Sequence, residues 1–209
     1  MNQRHLAILT ATIVLSMALG FITPGPSQTT GLLSTTNARL TALLRDIQEH
    51  DNPYNDRVVF DTNGQPVSVK LWSSNANDAD LSTISDAGSI KTLYLQTGAH
   101  AKNITREGLV SLRKLTNLTE LHLACMIDMP PGMFGEICQL KNLRILSLVA
   151  EMPPPNEYTN LARLKNLEQL HISYATNFSP QEALVLTNLT NLKDLSIAYY
   201  NGSPKDTNF

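Results

Sequence analysis

Apolar and polar residues alternate in a figure that recurs along the middle and end of this chain. At Leu118-Thr-Glu-Leu121-His-Leu123 the spacing is L-x-x-L-x-L. That spacing sends Leu121 and Leu123 to one side of a short strand, and Glu120 and His122 to the other. The figure returns at Ile90/Leu93/Leu95, Leu143/Leu146/Leu148, Leu167/Leu170/Ile172 and Leu192/Leu195/Ile197, with a weaker copy at Pro66/Val69/Leu71. First positions are separated by 24, 28, 25, 24 and 25 residues, a period that marks a stacked repeat architecture. Positions nine, six and three before each first position supply an independent check. They hold Leu81/Ile84/Ala87, Leu109/Leu112/Leu115, Phe134/Ile137/Leu140, Tyr158/Leu161/Leu164 and Ala183/Leu186/Leu189, all apolar or aromatic. A spacing of three suits one face of a short helix or 3-10 turn. Each unit is predicted to be a strand, a loop and a short helical return, with leucines of both arms turned inward. One unit cannot bury that face alone, so neighbours must stack. Asn117, Asn142, Asn166 and Asn191 each precede the first position of a unit. Asparagine there is expected to bond its own chain in the turn into the strand.

These motifs resemble the leucine-rich-repeat family over about residues 66–200. Ile104-Thr105-Arg-Glu-Gly108-Leu109 and Asp78-Ala-Asp80-Leu81 resemble the helix starts of its ribonuclease-inhibitor-like and secreted bacterial branches. Met129-Pro-Pro-Gly-Met-Phe134 is closer to the plant-type variant. The resemblance implies an α/β solenoid, with a curved parallel sheet on the concave face and short helices or 3-10 turns on the convex face. It names a fold and not a function. The family often carries Asn or Cys eight residues after the first position, where it bonds the loop backbone. This chain has Gly98, Met126, Glu151, Ala175 and Tyr200 there, so no side-chain ladder is expected along that edge.

Ahead of the repeats, Leu40, Leu43, Leu44 and Ile47 fall at i, i+3, i+4 and i+7, which predicts a helix over about 37–50. Arg57–Phe60 and Val67–Trp72 flank an Asn63-Gly64 pair and read as a hairpin. Helix and hairpin, residues 37–65, form a cap over the first repeat, and about six strands follow over 66–200. Thr105 is the expected helix cap of the second return, and Ser179-Pro180-Gln-Glu182 reads as a capping box for the last. The tail, 201–209, carries no apolar helix to cover the final strand, so either the tail itself folds over that end or another molecule covers the edge.

The chain has 209 residues and a formal charge of −2, enough for one domain with a core and too balanced for a nucleic-acid binder. Residues 1–20 have the order of a secretory signal peptide: Arg4, then Leu6–Leu19, then Ala18-Leu-Gly20. The alternative is an uncleaved membrane anchor. Residues 21–36, rich in Pro, Gly, Ser and Thr, read as a tether. The expected location is secreted or in the cell envelope.

No catalytic, cofactor or metal motif stands out. His122 and His171 lie two repeats apart, roughly 10 Å at about 4.8 Å per strand, too far for one metal whose ligands sit about 2 Å from it. Cys125 and Cys138 sit near opposite ends of one repeat and are expected to be reduced small hydrophobes rather than a bridge. Five N-x-[ST] sequons, at Asn103, Asn117, Asn177, Asn188 and Asn201, arise in part from the repeat pattern itself. What remains is a surface. The pattern puts Lys70, Tyr94, His122, Ser147, His171 and Ser196 along the centre of the exposed sheet face. Trp72, Gln96, Ala124, Val149, Ser173 and Ala198 form one flank, and Ser68, Thr92, Glu120, Ile145, Gln169 and Asp194 the other. The expected contact residues are Lys70, Trp72, Tyr94, Glu120, His122 and His171, because aromatic side chains concentrate binding energy. The sequence therefore reads as a secreted, non-catalytic module for a protein or peptide ligand. The alternative is an assembly part that self-associates through the last repeat.

Overall fold

Among the described residues, the strand figure becomes a single seven-stranded sheet in chain order. In the computed structural model, residues 30–49, 57–72, 76–96, 103–126, 131–150, 155–173 and 180–198 are described. The strands are β1 (Val58–Phe60), β2 (Pro66–Trp72), β3 (Thr92–Gln96), β4 (Glu120–Met126), β5 (Ile145–Ala150), β6 (Gln169–Ser173) and β7 (Asp194–Ala198). β1 pairs with β2 antiparallel, and every later pairing is parallel between neighbours. The hairpin is closed by Gly64 at φ 72 and by the Asp61 carboxylate, which accepts from the N–H groups of Asn63 and Gln65. Helical returns lie between the parallel strands: α2 (Asp78–Ser85), α3 (Arg106–Ser111) with a 3-10 turn at Leu112–Lys114, α4 (Met133–Ile137), a 3-10 segment at Pro155–Arg163, and α5 (Pro180–Leu186). This is a leucine-rich-repeat solenoid.

The core is the row of leucines that both arms turn inward. Leu93, Leu95, Leu121, Leu123, Leu146, Leu148, Leu170 and Ile172 are buried from the strands, and Leu81, Ile84, Leu109, Leu112, Phe134, Ile137, Tyr158 and Leu161 from the returns. The last unit differs. Leu195 is 45% exposed and Leu184 66%, while Ala183, Leu186 and Ile197 are half-buried. Among the described residues β7 has a strand partner on one side only.

The helix ahead of the repeats, α1, runs Thr30–Glu49 and begins seven residues earlier than the apolar spacing predicts. Residues 30–36, assigned to the tether on composition, are helical. Ser and Thr weaken a helix only slightly, and Gly31, the one strong breaker, sits in the first turn. Leu44 and Ile47 are buried in the same core as the repeats, and α1 contacts β1, β2 and α2.

The asparagines before the strands do not bond locally. Each donates its Nδ2–H to a backbone carbonyl of the preceding unit: Asn117 to Gly88 at 2.7 Å, Asn142 to Thr116 at 2.7 Å, Asn166 to Lys141 at 2.9 Å and Asn191 to Lys165 at 2.8 Å. The acceptor is always the residue two places before the first position. A side-chain ladder thus runs along the strand-start edge. The main chain repeats the same offset, the Lys91, Thr119, Arg144 and Glu168 carbonyls each accepting two N–H groups from the next unit.

Caps set the returns. Thr105 caps α3 as expected, its Oγ accepting from the Glu107 N–H. Asn77, which the sequence reading passed over, forms a reciprocal capping box with Asp80 at the start of α2. Glu136 of α4 is buried and holds Arg106 and Arg113 of the preceding return in ion pairs. Ser179, the strand-end positions 98, 151, 175 and 200, the side chain of Met126, residues 1–29 and the tail lie outside the described residues. The signal-peptide reading and most of the tether fall there too. Among the described residues, no helix is long and apolar enough to cross a membrane.

Candidate functional site

In-register parallel pairing turns a position shared by all units into a column across the sheet. The pairings Lys70–Tyr94, Tyr94–His122, His122–Ser147, Ser147–His171 and His171–Ser196 make the central column continuous from β2 to β7. Ser68, Thr92, Glu120, Ile145, Gln169 and Asp194 form the flank nearer the strand starts. Because side chains alternate across a strand, these columns share the face opposite the leucines.

Three of the expected contact residues come together at the first half of this column. The Tyr94 and His122 rings are stacked, with centroids 4.1 Å apart and planes 7° from parallel. The Lys70 Nζ lies 5.4 Å from the Tyr94 ring centroid, within cation–π range. Three strands therefore contribute to one half-buried Lys–Tyr–His row. Glu120 stands two residues before His122 on the same face and accepts from the Thr92 hydroxyl at 3.3 Å. His171 is not part of this cluster. Ser147 stands between it and His122, and its Nε2 lies 3.6 Å from an Asp194 carboxylate oxygen. Asp194 was placed on the flank from sequence but not counted among the contact residues. Trp72 lies opposite Gln96 in the sheet, and its side chain is outside the described residues.

Burial beneath the stack holds the His122 imidazole below its usual pKa. The His171 charge adds to that, and Glu120 opposes it. The Nε2 atom is buried and has no hydrogen-bond partner among the described residues. The ring therefore packs on Tyr94 in its neutral form at neutral pH. The unfolded chain, with an ordinary histidine near pKa 6.5, binds the proton more tightly, so stability rises with pH across this window. The contribution is complete above about pH 6.5 and is lost as pH falls below it. Thermal melts at about pH 7.5 and about pH 5.5 should show a larger acid-induced drop in wild type than in His122→Phe, which keeps a ring on Tyr94 and removes the titration. Equal drops would mean that burial does not keep the imidazole neutral.

Other candidate chemistry is dispersed. Among the described residues, no three His, Cys, Asp or Glu side chains are grouped so as to hold a metal ion. Cys138 is a free thiol buried in the core, and burial pushes its pKa up to about 12. The Cys125 side chain lies outside the described residues, as do the sequons at Asn177 and Asn201.

A second surface follows the asparagine ladder. A shallow groove of about 720 Å³ runs along the strand starts, lined by Asn117, Asn142, Asn166 and Asn191 together with Lys91, Thr116, Thr119, Arg144, Glu168 and Lys193. Glu168 accepts from the Arg144 Nε at 2.6 Å and the Lys193 Nζ at 2.8 Å. Those hydrogen bonds, that from Lys193 first, hold its carboxyl below the usual range. The sequence reading missed this groove. Its signal was the residue just after each first position, charged in four of the five units from Ile90 onward.

No protein-family model matches the chain, and no curated protein matches it in sequence. Solved structures with a similar fold include two internalins from Listeria monocytogenes. Internalin inlF is 18% identical, with 71% of this chain and 48% of that chain covered and a TM-score of 0.42. Internalin C2 is also 18% identical, with 78% and 86% covered and a TM-score of 0.37. A plant ice-binding protein is 18% identical, with 66% and 46% covered and a TM-score of 0.38. The chain spans about half the length of the first and third of these.

Proposed function

We propose that this chain is a secreted, non-catalytic recognition module that takes a segment of a protein or peptide partner across the open face of its sheet. The observation that carries this reading is the Lys70–Tyr94–His122 row. A stacked pair loses little further side-chain freedom on binding, so its contact area converts efficiently into affinity. The ammonium at one end and the Glu120 carboxylate beside the row supply directional polar contacts. The serines at 147 and 196 leave low points between His122, His171 and the end of the column, into which partner side chains fit. Secretion is supported by the order of residues 1–20 alone.

Photo-cross-linking tests this directly. A photoreactive side chain at position 147 should give a discrete adduct with the partner in extracellular fluid of the native source, whereas one at Gln181 on α5 should not. With that partner in hand, Tyr94→Ala is expected to weaken binding by about 2 kcal/mol, roughly thirtyfold, in a protein that remains folded with a modestly lowered melting temperature. Undiminished affinity in a folded Tyr94→Ala protein would remove the sheet face from consideration.

A further inference from the structure

We propose that the groove along the strand starts is a second binding site, and that its ligand is a linear acidic polysaccharide. The site does not depend on the sheet face. Its first component is unspent hydrogen-bonding capacity. A side-chain amide has two donor hydrogens and an oxygen with two acceptor positions. Each ladder asparagine uses one N–H on the preceding unit. Among the described residues, no other hydrogen bond reaches these four exposed amides. One N–H and one carbonyl oxygen per unit are left to face solvent, repeated at the strand spacing of about 4.8 Å.

The second component is charge. Lys91, Arg144 and Lys193 against Glu168 give the groove lining a surplus of two positive charges. Lys141 and Lys165, exposed on the turns of the same edge, add two more. The chain as a whole carries −2, so this edge is a local reversal of the protein's own sign. Glu168 does not cancel the field so much as arrange it. Its two oxygens are spent on Arg144 and Lys193, which fixes both cations beside the amide row.

Together these features select the ligand class. Paired donors and acceptors at regular intervals suit sugar hydroxyls, and the surplus charge suits a carboxylate or sulfate on the sugar units. Apolar side chains are missing from the groove lining, so a peptide would have nowhere to bury its own. Single-stranded nucleic acid is held by aromatic platforms, and the lining has none. A polymer is favoured over a single sugar because the pattern repeats over four consecutive units, β4 to β7.

Affinity electrophoresis of the full chain at about 50 mM salt tests the proposal, with polygalacturonate, dextran sulfate, neutral dextran and poly(dT) as probes. Retardation is expected with one or both acidic sugars, declining as salt rises, and none with dextran. The two acidic arms tell carboxylate from sulfate. Lys91→Gln with Lys193→Gln should lose about tenfold in affinity at the same salt, while Tyr94→Ala, on the other surface, should bind as wild type. Melting curves verify that both proteins are folded. The proposal is overturned if dextran binds as tightly as the acidic polymers, or if the double lysine variant binds undiminished. Tighter binding of poly(dT) than of either sugar overturns the ligand class.

Discussion

Phe134→Ala is expected to lower folding stability by about 3–5 kcal/mol. Phe134 is fully buried on α4, and its ring meets that of Tyr158 edge-on, with centroids 6.2 Å apart and planes at 61°. Tyr158 belongs to the 3-10 segment of the following unit, so the pair is the aromatic joint between two neighbouring returns. Truncation leaves a ring-sized cavity, and the surrounding strands, fixed by their ladders, have little freedom to close it. The effect should reach beyond the midpoint. In a stack each unit contacts only its neighbours, so a weakened interface divides the array. The single tryptophan, Trp72, is on β2 and reports the first half, while far-ultraviolet circular dichroism reports the whole. In urea the two probes should coincide for wild type. They should separate for Phe134→Ala, with the dichroism lost first. A loss under about 1 kcal/mol would contradict the packing argument. A large loss with coincident probes would show that the stack unfolds as one unit.

The same locality explains what was legible beforehand. Strand register followed from leucine spacing because a slip by one residue would turn Leu121 and Leu123 to solvent. The three columns read from sequence are accordingly the three the sheet forms. The Tyr94–His122 column position was equally legible, but the near-parallel stack was not, since it depends on the rotamers the two rings share. The far partners were not legible either. Glu136 meets Arg106 and Arg113 across 30 and 23 residues, and the asparagines reach carbonyls 25 to 29 residues back. Such contacts are fixed by the stacking offset between units, which no single unit encodes.

The polar edge shows the same limit. Lys91, Arg144 and Lys193 each look like an ordinary solvated charge within its own unit. Only stacking lines them up beside the amide row and places Glu168 between two of them. The early start of α1 has a different cause. A Ser/Thr-rich segment has no strong preference of its own, so composition assigned residues 30–36 to a tether although nothing after Gly31 forbids a helix.

Gly108 connects two consecutive returns closely enough to make a sharp test of how such contacts work. A methyl group added there would lie 2.2 Å from the Asp78 Oδ1 and 3.1 Å from the Leu81 Cδ1. Asp78 cannot yield freely. Its Oδ1 accepts from the Thr105 N–H at 2.8 Å and its Oδ2 from the Thr105 hydroxyl at 2.6 Å, so its carboxylate ties the start of α2 to the cap of α3. Gly108→Ala should therefore displace the carboxylate and break both bonds, each worth about 1.5–3 kcal/mol when one partner is charged. Alanine's better helix propensity offsets about 1 kcal/mol of that. The expected net loss is about 2–5 kcal/mol, measurable by urea unfolding. The background decides the mechanism. In Asp78→Ala, where the tie is already gone, Gly108→Ala should be neutral or stabilising by up to about 1 kcal/mol. Equal losses in the two backgrounds would place the collision at Leu81. The carboxylate would then not be what makes glycine necessary at this position.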